Sequence, residues 1–213
     1  MALIFGSIFF GALCGWYRGG PLHNRDEIVG RIDPSWLRKT VDFIVQGDFV
    51  NAIAFGIFCA FVSDGPAFAV FLWEVAMMYR GATPGWGDYI GAAKGTRLGL
   101  HALPDGADLN LQTSEKFNLY KPLKEVAYID KIIEKLLPHP RLWGIAGLSI
   151  RCGEWGLFIG APFLNFLVPA AGLLAGPIVY LLSKILPDKY VWPCFEAIIS
   201  ALFWLAIAIG GNA

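Results

Sequence analysis

Residues 142–159 read LWGIAGLSIRCGEWGLFI, eighteen positions in which Ser149, Arg151 and Glu154 are the polar exceptions. As a helix rising 1.5 Å per residue this run measures about 27 Å, close to the roughly 30 Å hydrocarbon core of a bilayer. Working outward, further apolar runs lie at Ala2 to Tyr17, Phe49 to Val62, Pro66 to Tyr79, Phe163 to Leu182 and Tyr190 to Ile209. The whole chain of 213 residues is 56% hydrophobic and 16% charged, whereas soluble domains carry roughly 25% charged residues. The reading is an all-α fold: a polytopic transmembrane helical bundle of about six segments, forming a single membrane domain over 1–213.

The last three runs are long enough to cross. The second and third, at about 14 residues or roughly 21 Å each, are short. Either the second helix starts near Val41, with Asp42, Gln46, Asp48 and Asn51 on a bundle-facing stripe, or residues 49–79 form a re-entrant hairpin broken at Ser63-Asp64-Gly65-Pro66. Both alternatives return the chain to the side it came from. The N-terminal run has no basic residue ahead of it and no small-x-small cleavage pattern, so a retained helix is expected there and not a signal peptide.

Net charge is zero, from 17 basic and 17 acidic residues, which excludes a basic nucleic-acid footprint and a strongly acidic tail. The zero conceals a sorted arrangement. Sixteen of the 17 basic residues fall in segments 18–40, 80–141 and 184–189, all on one face of the expected bundle. The positive-inside rule makes that face cytoplasmic and puts both termini outside, in the inner (plasma) membrane of a cell. Within the long cytoplasmic loop 80–141, residues Val126, Ile129, Ile132, Ile133, Leu136 and Leu137 share an arc of about 140°, giving an amphipathic helix over 125–137 that lies along the interface or packs on neighbouring loops. Asp33-Pro34 has the N-cap and first-position residues of another short helix.

The remaining basic residue is Arg151, inside a membrane run. Charges there cost about 2.5 to 3.5 kcal/mol each on insertion scales, so Glu74, Arg151 and Glu154 are the candidate intramembrane polar cluster. Glu74 and Arg151 each sit about nine residues from a membrane end, roughly 14 Å deep. Arg151 and Glu154 share a helical face. Two carboxylates around one guanidinium suit a proton relay, and the same groups suit an ion-pair clip that orients helices. Ser149, Gly153, Gly156 and Gly160 lie within about 60° of one another roughly opposite Arg151, a small-residue ridge for close helix packing. Gly11-x-x-x-Gly15 and Gly172-x-x-x-Gly176 offer further close contacts, within the chain or between copies or with another membrane protein. Glu196 and Asn165 are weaker candidates, for an interfacial or capping role and a helix–helix hydrogen bond respectively.

The loop Pro84-Gly85-Trp86-Gly87-Asp88-Tyr89-Ile90-Gly91 is the most distinctive local string. It misses the dinucleotide fingerprint and follows a membrane helix instead of a strand, so nucleotide binding is excluded. It serves either as an aromatic turn seated at the interface or as a cytoplasmic loop site comprising Arg80, Trp86, Asp88 and His101. No Walker A string, H-E-x-x-H, G-x-S-x-G or zinc-type cysteine pair occurs, and Cys14, Cys59, Cys152 and Cys194 lie in apolar runs as small packing residues. No metal, cofactor or nucleic acid is expected as a partner, and no catalytic residue stands out.

The Gly-rich first helix ending in Trp16-Tyr17-Arg18, the string Pro84 to Tyr89 after a short apolar hairpin, and the Arg151-x-x-Glu154 helix together resemble small integral membrane proteins encoded by tailed bacteriophages and prophages. The resemblance implies a bacterial inner-membrane setting and a role in infection, such as altering the host envelope or excluding other phages. It carries over no catalytic residue. The leading expectation is an accessory or interaction protein of the inner membrane. The alternatives are a small proton-coupled transporter or channel using Glu74, Arg151 and Glu154, and a lipid-processing enzyme using the loop residues.

The orientation is testable in a background with the four cysteines replaced by serine. A membrane-impermeant maleimide added to intact cells is expected to label Asn212→Cys but not Lys116→Cys, which reacts after permeabilisation; the reverse pattern inverts the assigned topology.

Overall fold

A computed structural model of the chain describes residues 1–19, 48–81 and 140–210, with the separate positions 36, 37, 40, 41 and 44. The expected helix start at Asp33-Pro34, the loop 84–91 and the amphipathic segment 125–137 lie outside them, as do Asp42 and Gln46. Among the described residues there is no strand. The helices are α1 (Ala2–Gly19), α2 (Asp48–Val62), α3 (Ala67–Gly81), α4 (Pro140–Gly160), α5 (Leu167–Leu173), α6 (Ala175–Ile185) and α7 (Asp188–Gly210), with a 3-10 turn at Ala161–Phe163. Since α5 and α6 form one apolar stretch, six helical stretches correspond to the six apolar runs.

Among the described residues three stretches are long and apolar enough to cross a membrane: Ala2–Gly19, Leu167–Ile185 and Tyr190–Gly210. This differs from expectation at two places. The first run, extended by Arg18 and Gly19, joins the long helices. Conversely, α4 has the length, with 21 residues, but Arg151, Glu154 and its five glycines dilute its apolar character below that of a self-sufficient span. Helices α2 and α3, each of 15 residues, remain short.

The chain forms two compact units, one of Met1–Thr83, Trp155–Ala171 and Pro193–Ala213, the other of Pro84–Glu154 and Gly172–Trp192. In the first unit, α1 packs on α7 through a stripe of small residues. Ser7, Gly11, Gly15 and Gly19 recur every four positions and are all buried, while Phe5, Phe9, Leu13 and Trp16 on the other faces are exposed. A side chain at Gly19 would meet Pro193, one at Gly15 the backbone of Glu196 and Ala197, and one at Gly11 Ala201 and Trp204. Rising numbers on α1 match falling numbers on α7, so the two helices run antiparallel with their backbones nearly touching.

The α2–α3 hairpin belongs to the same unit. Its break falls at Ser63 to Pro66, where the Gly65 N–H donates to Ser63 Oγ at 3.0 Å and the Pro66 carbonyl accepts from Ala69 and Val70. Gly56 lies against Phe71. Asn51, Phe55 and Cys59 on α2, and Val70, Glu74 and Met78 on α3, form buried stripes four residues apart. Phe55 and Phe58 meet Trp204 of α7, with Phe58 stacked at 4.4 Å.

Between α4 and α5 the chain turns sharply. Pro162 has no N–H, so the Phe158 carbonyl, four residues earlier, loses its helical donor. The indole N–H of Trp73 on α3 donates to that oxygen at 2.8 Å. Leu164 then takes the left-handed conformation, φ 49°, and its N–H bonds to Ala161 O. Asn165 closes the turn with both ends of its amide. Its Oδ1 accepts from the Leu167 N–H at 2.9 Å, capping α5, and its Nδ2 donates to Ala206 O on α7 at 2.8 Å. Gly210 leaves the room for this, since a side chain there would strike the Asn165 amide. The expected ridge continues the seam, with Gly156 against Val168 and Pro169, and Gly160 against Asn165 and Val168.

In the second unit, Gly172 lies on the backbone of Cys152 and Gly153, and Gly176 on Ile145 and Ser149. The Gly176 N–H donates to Ser149 Oγ at 3.1 Å. The glycine pairs 11/15 and 172/176 thus face helices of their own chain.

Trp73→Phe removes the only side-chain donor described for Phe158 O and is expected to cost about 1 kcal/mol in detergent unfolding. In a Pro162→Ala background, which restores the missing N–H, the same substitution is expected to cost clearly less. Equal costs in both backgrounds would show that the indole does not replace the lost helical bond.

Candidate functional site

A polar centre of the first unit is built where the end of α1 meets the beginning of α7. Gly15 and Gly19 let the two backbones approach, and Arg18, projecting between them, reaches Glu196. Arg18 Nη1 donates to Glu196 Oε2 at 3.0 Å, and the two side chains are 23% and 5% exposed. At that burial neither charge is well solvated, so the pair is stable as a pair and costly to break. Trp155, the first α4 residue of this unit, completes it. Its ring lies 4.8 Å from the Arg18 guanidinium carbon, and its indole N–H donates to Met77 O at 3.3 Å. One side chain therefore holds the guanidinium through its π face and α3 through its edge. Trp155 also meets Phe203 edge-on at 6.1 Å.

A cavity opens beside this pair, with about 30 Å³ of room at water radius, enough for roughly two water molecules. Arg18, Glu196, Ser200 and Asn51 supply its polar lining, and Met78 and Phe203 are among its apolar walls. Ser200 follows Glu196 by one turn of α7. Asn51 is 5% exposed, and its Oδ1 has no hydrogen-bond partner. An uncompensated buried amide oxygen costs about 1 to 3 kcal/mol, so a donor entering the cavity would be held there.

Glu74 is completely buried, and neither carboxyl oxygen has a hydrogen-bond partner. Cys59, the titratable residue on the buried stripe of α2, is itself completely buried. Arg151 and Glu154 are both half-buried and belong to the second unit, whereas Glu74 belongs to the first. Asn165 makes the helix–helix hydrogen bond expected of it. Glu196, assigned from sequence to an interfacial or capping role, is instead the buried partner of Arg18. Trp86, Asp88 and His101 lie outside the described residues, and so does the side chain of Arg80. Among the described residues no three His, Cys, Asp or Glu side chains converge as metal ligands would.

The Arg18–Glu196 pair is hard to find in the sequence, with its members 178 residues apart. A signal was nonetheless present. An arginine at the end of a four-residue small stripe and a glutamate just inside an antiparallel run are charges at matching depth. Comparison of the chain with models of known protein families, with curated proteins and with solved structures gives no match.

Glu196→Leu leaves Arg18 buried without its carboxylate and is expected to destabilise the protein by about 3 kcal/mol. The double variant Arg18→Leu, Glu196→Leu is expected to recover most of that loss in the same detergent unfolding assay. If the double variant is as unstable as the sum of the singles, the two charges are not coupled.

Proposed function

We propose that the chain is an integral inner-membrane accessory protein, acting by contact with other membrane components and not by transport or catalysis. The observation that carries this is how the polar side chains that bridge the helices are spent. Arg18 is committed to Glu196 and Trp155, Asn165 to α5 and α7, Trp73 to the carbonyl exposed by Pro162, and Ser149 to Gly176. Each interaction fixes one helix against another, where a carrier needs groups that exchange partners as it changes state. The resemblance to small phage- and prophage-encoded membrane proteins supports action on the bacterial envelope during infection. Since the glycine faces of α1 and of α5–α6 are used within the chain, partners would meet the exposed aromatic and aliphatic faces, such as Phe5, Phe9 and Leu13 of α1.

One observation favours a second reading, a small proton-coupled carrier or channel: the fully buried, unpartnered carboxyl of Glu74. Proteoliposomes containing an internal pH dye separate the two. Under an imposed potential the wild type is expected to leave the internal pH unchanged relative to empty vesicles. A proton flux that disappears in Glu74→Gln would overturn the accessory reading.

A further inference from the structure

Two buried acceptors in the first unit lack donors, and they lie along the same hairpin. The Oδ1 of Asn51 on α2 lines the water-sized cavity next to Arg18 and Glu196. Both oxygens of Glu74 on α3 are buried and without a hydrogen-bond partner. Met78 connects them: it lines the cavity and follows Glu74 by four positions on the buried stripe Val70, Glu74, Met78. One helical turn is about 5.4 Å, the span of a single water with a hydrogen bond of about 2.7 Å on either side. The intervening side chain is an unbranched thioether with three rotatable bonds, among the easiest core residues to rearrange.

The energetics give Glu74 a reason to be reached. A carboxyl group with no hydrogen-bond partner pays for burial even when neutral, and far more when ionised. An alanine or leucine at position 74 would avoid this cost, and no ion pair within the described hairpin offsets it. Cys59, the titratable neighbour from α2, supplies no positive charge. In the cavity that Met78 lines, the Asn51 amide oxygen can anchor a water, and Ser200 and the Arg18–Glu196 pair supply further hydrogen-bonding groups.

We infer that Glu74 is a proton-binding site inside the α2–α3 hairpin, reached by water from the Asn51 cavity past the side chain of Met78. The ligand is a proton delivered by water. Asn51 holds the first water, Met78 acts as the gate, and the Glu74 carboxyl exchanges its proton when the gate side chain moves aside. Equilibrium exchange needs no net movement of protons across the bilayer, so this inference stands or falls separately from the flux assay above.

Infrared spectroscopy of the full-length protein in lipid tests it directly. The carboxylic C=O stretching band of Glu74 is identified as the band lost in Glu74→Gln, and its shift on transfer to D2O reports water access. The wild type is expected to show the band and to exchange it. Asn51→Leu, which removes the water anchor, and Ser200→Leu, which fills the cavity from α7, are each expected to slow exchange several-fold; Met78→Ala is expected to speed it. Two cavity variants from different helices guard against one failing to fold. Absence of the band, a band that never exchanges, or an exchange rate indifferent to all three substitutions would overturn the proposal.

Discussion

Nothing stands between the backbone of Gly15 and the carbonyl of Glu196, and the first unit depends on that closeness. Helices surrounded by lipid gain little from the hydrophobic effect when they associate, and rely on dispersion contacts and hydrogen bonds that fall off steeply with distance. The stripe Ser7, Gly11, Gly15, Gly19 brings α1 and α7 to near-minimum separation over three turns. Only at that separation does Arg18 reach Glu196 at 3.0 Å, and only with Arg18 held there does Trp155 find a cation for its ring. A methyl group at position 15 would thus act on the electrostatics as well as on the packing.

The second constraint is that broken helices must repair their own hydrogen bonding. Prolines interrupt or open the α4–α5 connection, the α5–α6 stretch and α7, and each removes a backbone donor. The first of these shows the remedy most clearly, with Trp73 supplying an N–H to the carbonyl left by Pro162. Asn165 performs the equivalent service at the next turn, capping α5 and reaching α7 with one amide. These two residues tie α3, α4, α5 and α7 together at one level of the first unit.

Much of the architecture was legible in the sequence because length and apolarity determine it. The six runs, the break at Ser63 to Pro66 and the small ridge Ser149, Gly153, Gly156, Gly160 correspond to helices, turn and packing seam. Less legible was the balance within α4, where the same charges that made it chemically interesting keep it from the apolarity of Leu167–Ile185 or Tyr190–Gly210. The glycine motifs marked close approach without identifying the opposing helix, since spacing encodes a face and not its partner. For the site the limits were sharper. Arg18 and Glu196 read separately as end-of-helix charges, because nothing local to either indicates the other. Glu74 was conspicuous as an acid in an apolar run, yet the cavity lined by Arg18, Asn51 and Glu196 is assembled from five helices, none of whose contributions has a sequence signature of its own.

The separation of 178 residues between Arg18 and Glu196 also orders events during synthesis. When α1 leaves the ribosome its small-residue stripe has no cover and Arg18 no counter-charge, and this persists while the residues up to the start of α7 are made. Until then α1 must keep its guanidinium at the water boundary, where Trp16 and Tyr17 can anchor it. Arrival of α7 closes the stripe and the ion pair in a single step. The first unit is therefore completed late in translation, and a product interrupted before residue 196 would carry both an uncovered packing face and an unpaired charge.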